Sequence, residues 1–140
     1  ADIIRTITQR LADLEVMLLI EYLSKYECEF INNADEAMEL VHMVNHENFA
    51  LHVDLKSSFA EREDYNKVWG EYGKSIFHCH VSNPALAPPD QTCPEHEKAA
   101  MAIRRSGYDK YISIEMGRKF GDTEKNLANS IEFVRNIYFS

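Results

Sequence analysis

The sequence predicts an α/β protein built on a parallel sheet, and two observations indicate this. Short apolar runs alternate with amphipathic stretches in the order α-β-α-β-α-β-α-β-α, without an internal repeat. Each of the four apolar runs also carries a polar, potentially metal-binding residue at its C-terminal end. Strands that alternate with helices form right-handed βαβ units and hence a parallel sheet. The length of 140 residues and the hydrophobic content of 45% suit a single globular domain, residues 1–140.

The first half of the chain holds three predicted helices and two strands. Helical spacing predicts the first helix, and its apolar positions are Ile3, Ile4, Ile7, Leu11 and Leu14. A strand follows at about residues 17–22, and the lack of Gly or Pro before it suggests missing residues near Leu14–Val16. Asn33 is the predicted N-cap of the next helix, with Glu36 three residues later. After the strand ALHVDL, a polar loop leads to a helix that ends near Gly73.

The second half continues the alternation. The strand SIFHCHV precedes a proline-rich loop, and Thr92 with Glu95 then predicts a capping box around Pro94. That helix is expected to stop at Gly107, a natural residue for a helix C-terminus. The strand YISIEM is followed by a last helix over residues 123–138, whose predicted inward residues are Leu127, Ile131 and Val134.

The strand-end residues share one phase. Side chains alternate along a strand, so these four and the residues two positions before them point to one face. That face would hold Glu21, Asp54, His80 and Glu115 with Leu19, His52, His78 and Ser113. The other face is apolar, with Leu18, Ile20, Leu51, Val53, Phe77, Cys79, Ile112 and Ile114. Such an arrangement favours a barrel over a doubly wound open sheet, which would not so readily bring four successive strands to one site.

Three carboxylates and one imidazole at neighbouring strand ends predict a metal site. Glu21, Asp54, His80 and Glu115 are 33, 26 and 35 residues apart, about one βα unit each. Oxygen-rich ligands favour Mn²⁺, with Mg²⁺ and Co²⁺ as alternatives, over the thiolate and histidine ligands of structural zinc, although Zn²⁺ stays open. Each residue alone would suit a loop or a core histidine, but four in phase favour a site.

Composition argues against several other functions. The net charge of −8 disfavours a nucleic-acid surface, and no apolar run is long enough for a membrane span. Cys28, Cys79 and Cys93 follow no metal or disulfide spacing, which predicts reduced thiols in a cytoplasmic protein. Cys79 lies within an apolar strand and is expected to serve in packing.

Four segments of the chain carry a resemblance to a known family: LIEYLSKYECEFINNADEAMELV, LHVDLKSS, FHCHVSN and GYDKYISIEM. The chain resembles the xylose-isomerase-like TIM barrel superfamily, in particular its sugar-phosphate isomerase/epimerase type. The resemblance implies a parallel (βα)8 barrel, of which this chain supplies roughly strands five to eight with their helices. It implies a metal held by Glu21, Asp54, His80 and Glu115. By the same resemblance, Glu21 and Glu115 move a proton, and Glu27 contacts the substrate.

The resemblance implies a metal-dependent sugar or sugar-phosphate isomerase/epimerase that works through an enediolate. The expected partners are that small substrate and further copies of the protein, without nucleic acid or membrane. Two positions depart from the pattern. Ser57 stands where a substrate-binding histidine is common and is itself predicted to bind substrate. Leu86 stands where epimerases often carry arginine.

Three alternatives stay open. A dehydratase of a polyol or a dehydroshikimate-like acid would use the same ligands, and a non-catalytic relative could keep them. An endonuclease-like barrel with three zinc ions needs further histidines that the sequence lacks.

A closed barrel needs about 250 residues. The chain is therefore expected either to be part of a longer one, which the mid-barrel character of its first helix favours, or to pair as half-barrels.

The remaining polar and aromatic residues have weaker predicted roles. His78 and His52 would support His80 and Asp54 by hydrogen bonds or act as plain core histidines. A surface loop is the expected setting of Lys56, Ser57 and Ser58, and a solvated position is expected for His42, His46 and His96. Packing is expected for Tyr22 and Trp69.

Overall fold

The computed structural model describes residues 1–140. It contains a four-stranded parallel sheet with helices packed on one face. The strands are β1 (Leu18–Glu21), β2 (Phe49–Asp54), β3 (Ile76–Val81) and β4 (Ile112–Ile114). The helices are α1 (Asp2–Ala12), α2 (Ala34–Val44), α3 (Leu55–Ala60), α4 (Tyr65–Tyr72), α5 (Glu95–Ser106) and α6 (Thr123–Tyr138). None of the helices is both long and apolar enough to span a bilayer.

The strands lie side by side in chain order, and each pair is parallel. This order is that of a barrel segment, whereas a doubly wound sheet would reverse direction at its switch point. The apolar side chains of the strands pack under the helices as predicted. Leu51, Val53, Cys79 and Val81 are fully buried in one core with Trp69 of α4. The alternating polar side chains therefore lie on the opposite face of the sheet.

Phe77 departs from the predicted parity because the register of β2 and β3 shifts. Leu51 pairs with Ile76 while His52 pairs with His78, so Phe77 is one extra residue on β3. Ile76 is consequently the fully buried residue. Phe77 is only half-buried, and the Lys110 Nζ atom lies 4.4 Å from the centroid of its ring.

A tight turn connects α1 to β1 where the sequence offered no turn signal, and the expectation of missing residues near Leu14–Val16 stays a prediction. The N–H groups of Leu14 and Val16 both donate to the Leu11 carbonyl at 3.0 Å. Glu15 adopts a left-handed conformation with φ of 56°, which closes the turn without glycine or proline. Such a conformation is uncommon for residues other than Gly, Asn and Asp, which is why no sequence signal marked it.

Helix ends follow the sequence signals in two cases and not in a third. The Asn33 side chain accepts a hydrogen bond from the Glu36 N–H at 2.9 Å, as predicted for the start of α2. Gly107 ends α5 in the left-handed region with φ of 73°. The capping box at Thr92 was wrong, because its hydroxyl donates to Asp90 and α5 begins after Pro94 without a side-chain cap.

The polar loop expected after Asp54 is partly helical, since α3 begins directly at the end of β2. The Asp54 side chain caps this helix by accepting the Lys56 N–H at 2.9 Å. Ser57 and Ser58 are fully buried beneath it, so neither lies in a surface loop. A single turn of helix thus decides which residue after Asp54 faces the site.

Helix α6 has the predicted bounds but buries a different face. Leu127 and Ile131 are 42% and 43% exposed, whereas Ser130, Val134 and Tyr138 are buried. The helix packs against α5, and Val134 and Tyr138 belong to the main hydrophobic core. Leu127 and Ile131 lie on the more exposed side of the helix.

His96 was expected in solvent and is instead fully buried. Its Nδ1 atom lies 2.6 Å from the Tyr138 hydroxyl, and its Nε2 atom lies 2.8 Å from the Asn83 Oδ1 atom. Phe59 and Phe133 contact the ring edge-on. The imidazole thus joins α5, the C-terminus of α6 and the loop after β3.

We expect the free energy of unfolding to fall as the pH falls from about 6.5 to about 4. Burial lowers the pKa of His96 to about 4, whereas the unfolded imidazole titrates near 6.5. The unfolded state therefore binds the proton first, and a contribution on the order of 3 kcal/mol is lost across this window. Chemical denaturation of wild-type protein and His96→Asn should converge as the pH falls. Parallel pH profiles would contradict this role.

Candidate metal centre

Four strand ends bring the predicted ligands to one edge of the sheet. Glu21 and Asp54 are the last residues of β1 and β2, His80 is the penultimate residue of β3, and Glu115 directly follows β4. Asp54 is in register with His80. The Glu115 N–H donates to the Val81 carbonyl at 3.1 Å, which extends the ladder beyond β4 and fixes the Glu115 backbone.

Three of the four side chains converge closely. One potential ligand atom of each of Glu21, His80 and Glu115 lies within 4.8 Å of the other two. The His80 Nδ1 atom is 3.6 Å from Glu21 Oε1 and 3.6 Å from Glu115 Oε2. Asp54 lies outside this trio, and its Oδ2 atom is 3.5 Å from the Lys56 Nζ atom. We call these four residues the carboxylate cage.

The cage fits a divalent cation, because two of its candidate ligand atoms lack a hydrogen bond. Asp54 Oδ2 and His80 Nδ1 are buried without a hydrogen bond, and buried polar atoms without partners are rare and costly. Burial raises the pKa of Glu21, and the nearby carboxylates of Asp54 and Glu115 raise it further. Burial likewise raises the pKa of Asp54. A cation between these groups would supply the missing contacts and offset the repulsion.

Glu27, predicted to contact substrate, lies beside the cage in an ion pair. The Lys56 Nζ atom donates to Glu27 Oε1 at 2.6 Å, and the Ser24 hydroxyl donates to Glu27 Oε2 at 2.9 Å. The hydrogen bond from Lys56 lowers the pKa of Glu27. Glu27 and Lys56 border a cavity of about 510 Å³ whose walls include Phe59 and Pro84. This cavity adjoins the cage through Lys56.

Lys56 was expected in a surface loop, but it lies beside the cage. Its side chain is 11% exposed and bridges Glu27 and Asp54. Ser57, the predicted substrate-binding residue, is fully buried with an unpartnered hydroxyl. Its contact with substrate stays a prediction that this burial does not favour. The sequence signal that could have identified Lys56 was its position two residues after Asp54, at the start of a helix.

The loop that carries Leu86 is tied to the segment after the last ligand. The Leu86 carbonyl accepts the Gly117 N–H at 2.8 Å, and Ala85 and Leu86 are both left-handed, with φ of 60° and 59°. The position at which epimerases often carry arginine is thus held close to Glu115 by backbone contacts. The structure places no guanidinium there.

His52 and His78 make no hydrogen bond to the cage residues, which rules out the first of their two predicted roles. Their rings meet each other and the His80 ring edge to face. Burial, followed by the neighbouring His80 and His78, lowers the pKa of His52 to about 3. The His52 imidazole is therefore neutral at physiological pH.

Tyr22 and Trp69 serve the core, as expected. The Tyr22 hydroxyl donates to Glu63 Oε2 at 2.5 Å, and the Trp69 ring packs edge-on against Tyr108. The cysteines Cys28, Cys79 and Cys93 form no disulfide, and Cys79 is fully buried in the core.

Solved structures of sugar epimerases resemble this chain. A D-psicose 3-epimerase determined with D-fructose superposes with a TM-score of 0.88 at 20% identity, over 98% of this chain and 54% of that one. The 3-keto-D-glucoside 4-epimerase YcjR from E. coli gives 0.87 at 16% identity, over 96% and 51%. The D-psicose 3-epimerase of Clostridium cellulolyticum H10, solved with D-tagatose, gives 0.82 at 17% identity, over 96% and 54%. This chain thus spans about half the length of each.

No curated protein sequence matches this one. A family profile does, over residues 1–137, and its description is xylose isomerase-like TIM barrel. The parallel sheet in chain order and the superpositions on barrel enzymes agree with that match. At these identities the superpositions establish the fold alone. The chain belongs to the xylose isomerase-like TIM barrel family and forms about half of such a barrel.

Proposed function

We propose that this chain carries the metal-binding half of a sugar or sugar-phosphate isomerase/epimerase, which transfers a proton beside a carbonyl group. One observation carries this proposal. The carboxylates of Glu21 and Glu115 both lie 3.6 Å from His80 Nδ1, and both are partly open to a ligand. Two carboxylates around one small-molecule site can remove a proton and return one.

Glu21, Asp54, His80 and Glu115 would hold the cation, and Mn²⁺ suits their three carboxylates best. When bound, this ion supplies Lewis acidity that polarises a sugar carbonyl and makes the neighbouring C–H more acidic. Asp54 would contribute its Oδ2 atom, since its Oδ1 atom already accepts the Lys56 N–H. We therefore propose Mn²⁺ as the bound ion, with Mg²⁺, Co²⁺ and Zn²⁺ as alternatives.

The proton transfer divides between the two glutamates. One carboxylate takes the proton from the carbon beside the carbonyl, and the C–H electron pair forms the double bond of an enediolate. The other carboxylate returns a proton to the opposite face or to the neighbouring carbon, which regenerates a carbonyl. Glu27, kept ionised by Lys56, accepts a hydrogen bond from a sugar hydroxyl.

The similar solved structures support this chemistry. Their names have in common a keto sugar that is epimerised at the carbon next to its carbonyl, as in D-psicose 3-epimerase and 3-keto-D-glucoside 4-epimerase. A cytoplasmic location and assembly into a homo-oligomer are further parts of the proposal, and the three free cysteines agree with a reducing compartment.

An exchange assay in deuterated water tests the proposal. The protein is freed of metal with EDTA and incubated with ketoses, ketose phosphates and keto-glycosides, with and without Mn²⁺. We expect deuterium to enter beside the carbonyl and a new epimer or isomer to appear only with the metal. Formation of an unsaturated product would indicate the dehydratase instead. Tight Mn²⁺ binding without exchange on any substrate would contradict proton-transfer chemistry.

A further inference from the structure

Three histidines gather on the polar face of the sheet, toward the N-terminal side of the carboxylate cage. His52 is two residues before Asp54, and His78 is two residues before His80. The ring centroids lie 4.1 Å apart for His52 and His80, 5.0 Å for His52 and His78, and 5.2 Å for His78 and His80. One nitrogen of each ring lies within 4.8 Å of the other two. We call these three residues the histidine cluster.

The cluster has unsatisfied nitrogen atoms, unlike the ordinary core histidine of this protein. His52 is only 7% exposed, and its Nε2 atom has no hydrogen-bond partner. Its Nδ1 atom lies 3.7 Å from Glu21 Oε2, which is too far for a hydrogen bond. His96 is buried as deeply, yet both of its ring nitrogens are bonded. Hydrogen bonds therefore satisfy the buried polar atoms of His96, whereas nothing satisfies the Nε2 atom of His52.

We propose that His52, His78 and His80 form a second metal site, which binds a nitrogen-preferring divalent cation such as Zn²⁺ or Co²⁺ and shares His80 with the carboxylate cage. Imidazole nitrogens suit Zn²⁺ and Co²⁺, whereas the oxygen-rich cage suits Mn²⁺ or Mg²⁺. Zn–N bonds of about 2.0–2.1 Å require the rings to turn toward a common point. Rotation of the side chains supplies this movement, because the edge-to-face rings already converge. Three protein ligands leave a fourth position for water or for Glu21.

Calorimetric titration with Zn²⁺ and, separately, with Mn²⁺ tests the second site. The variant His78→Leu removes one cluster ligand and leaves all four cage residues. It should bind Zn²⁺ at least about tenfold more weakly than wild type, while its Mn²⁺ affinity stays within about twofold. The control variant His42→Gln changes an exposed histidine of α2 and should alter neither affinity.

Two outcomes would overturn the proposal. An equal loss of Zn²⁺ and Mn²⁺ affinity in His78→Leu would make His78 a support for His80 within the cage. Unchanged affinities would make it a packing residue. Both results are independent of any catalytic activity.

A measurement on wild-type protein covers the case in which His78→Leu fails to fold. X-ray absorption at the zinc edge, with one equivalent of Zn²⁺ bound, counts the imidazole ligands around the ion. Scattering from three imidazoles is the expected result. A spectrum dominated by oxygen ligands with a single imidazole would place the zinc in the cage and refute the histidine site.

Discussion

Replacing Glu115 by Gln is expected to abolish exchange of the substrate C–H with solvent deuterium, a loss of at least about a hundredfold in rate. The amide keeps the size of the side chain but cannot accept a proton at neutral pH. The backbone should stay in place, since the Glu115 N–H still donates to the Val81 carbonyl at 3.1 Å. The exchange is followed by proton NMR of the sugar in deuterated water.

This variant also loses a carboxylate 3.6 Å from His80 Nδ1, so metal binding must be separated from proton transfer. The assay is therefore run at a Mn²⁺ concentration that titration shows to be saturating for each variant. Glu132→Gln, on an exposed position of α6, provides a matched control and should exchange at the wild-type rate. Undiminished exchange in Glu115→Gln would remove Glu115 from the proposed proton transfer.

Replacing Asp54 by Asn should lower Mn²⁺ affinity by more than about a hundredfold with little effect on the fold. Even outer-shell partners of a metal typically contribute about tenfold to a hundredfold in affinity, so a direct ligand should contribute more. The change removes the charge of Oδ2, the atom that is buried without a hydrogen bond. Asn still offers Oδ1 to the Lys56 N–H and so preserves the start of α3. Calorimetric titration with Mn²⁺ measures the loss.

Asp54→Ala separates the two roles of this side chain. It removes the cap as well, so its unfolding free energy should fall by about 1 kcal/mol more than that of Asp54→Asn. Both variants should bind Mn²⁺ equally poorly. If Asp54→Asn kept wild-type affinity, then Asp54 would be a helix cap held by Lys56 and not a metal ligand.

Much of the fold was predictable because its signals are local. Alternation with period two assigned His80 and Cys79 to opposite faces, and the structure confirms this division. The Asn33 cap and the Gly107 end of α5 were also predictable, since each depends on the backbone within one helical turn. The position of Phe77 was not, because a register shift depends on the partner strand.

The sequence alone determined which residues stand at the carboxyl ends of the four strands. Glu21, Asp54, His80 and Glu115 could be identified because strand position and side-chain direction follow from the pattern of apolar residues along the chain. Neighbouring parallel strands then bring such ends to one edge. The convergence of Glu21, His80 and Glu115 within 4.8 Å agrees with that prediction.

Only the tertiary structure decided which polar groups beside these ligands are paired, buried or left without a partner. Lys56 meets Glu27 across 29 residues, and His96 meets Tyr138 across 42. The unpartnered Nε2 atom of His52 likewise depends on how β2 and β3 align. These contacts join distant segments, so they depend on how the loops close and the helices pack. No local pattern in the sequence encodes them.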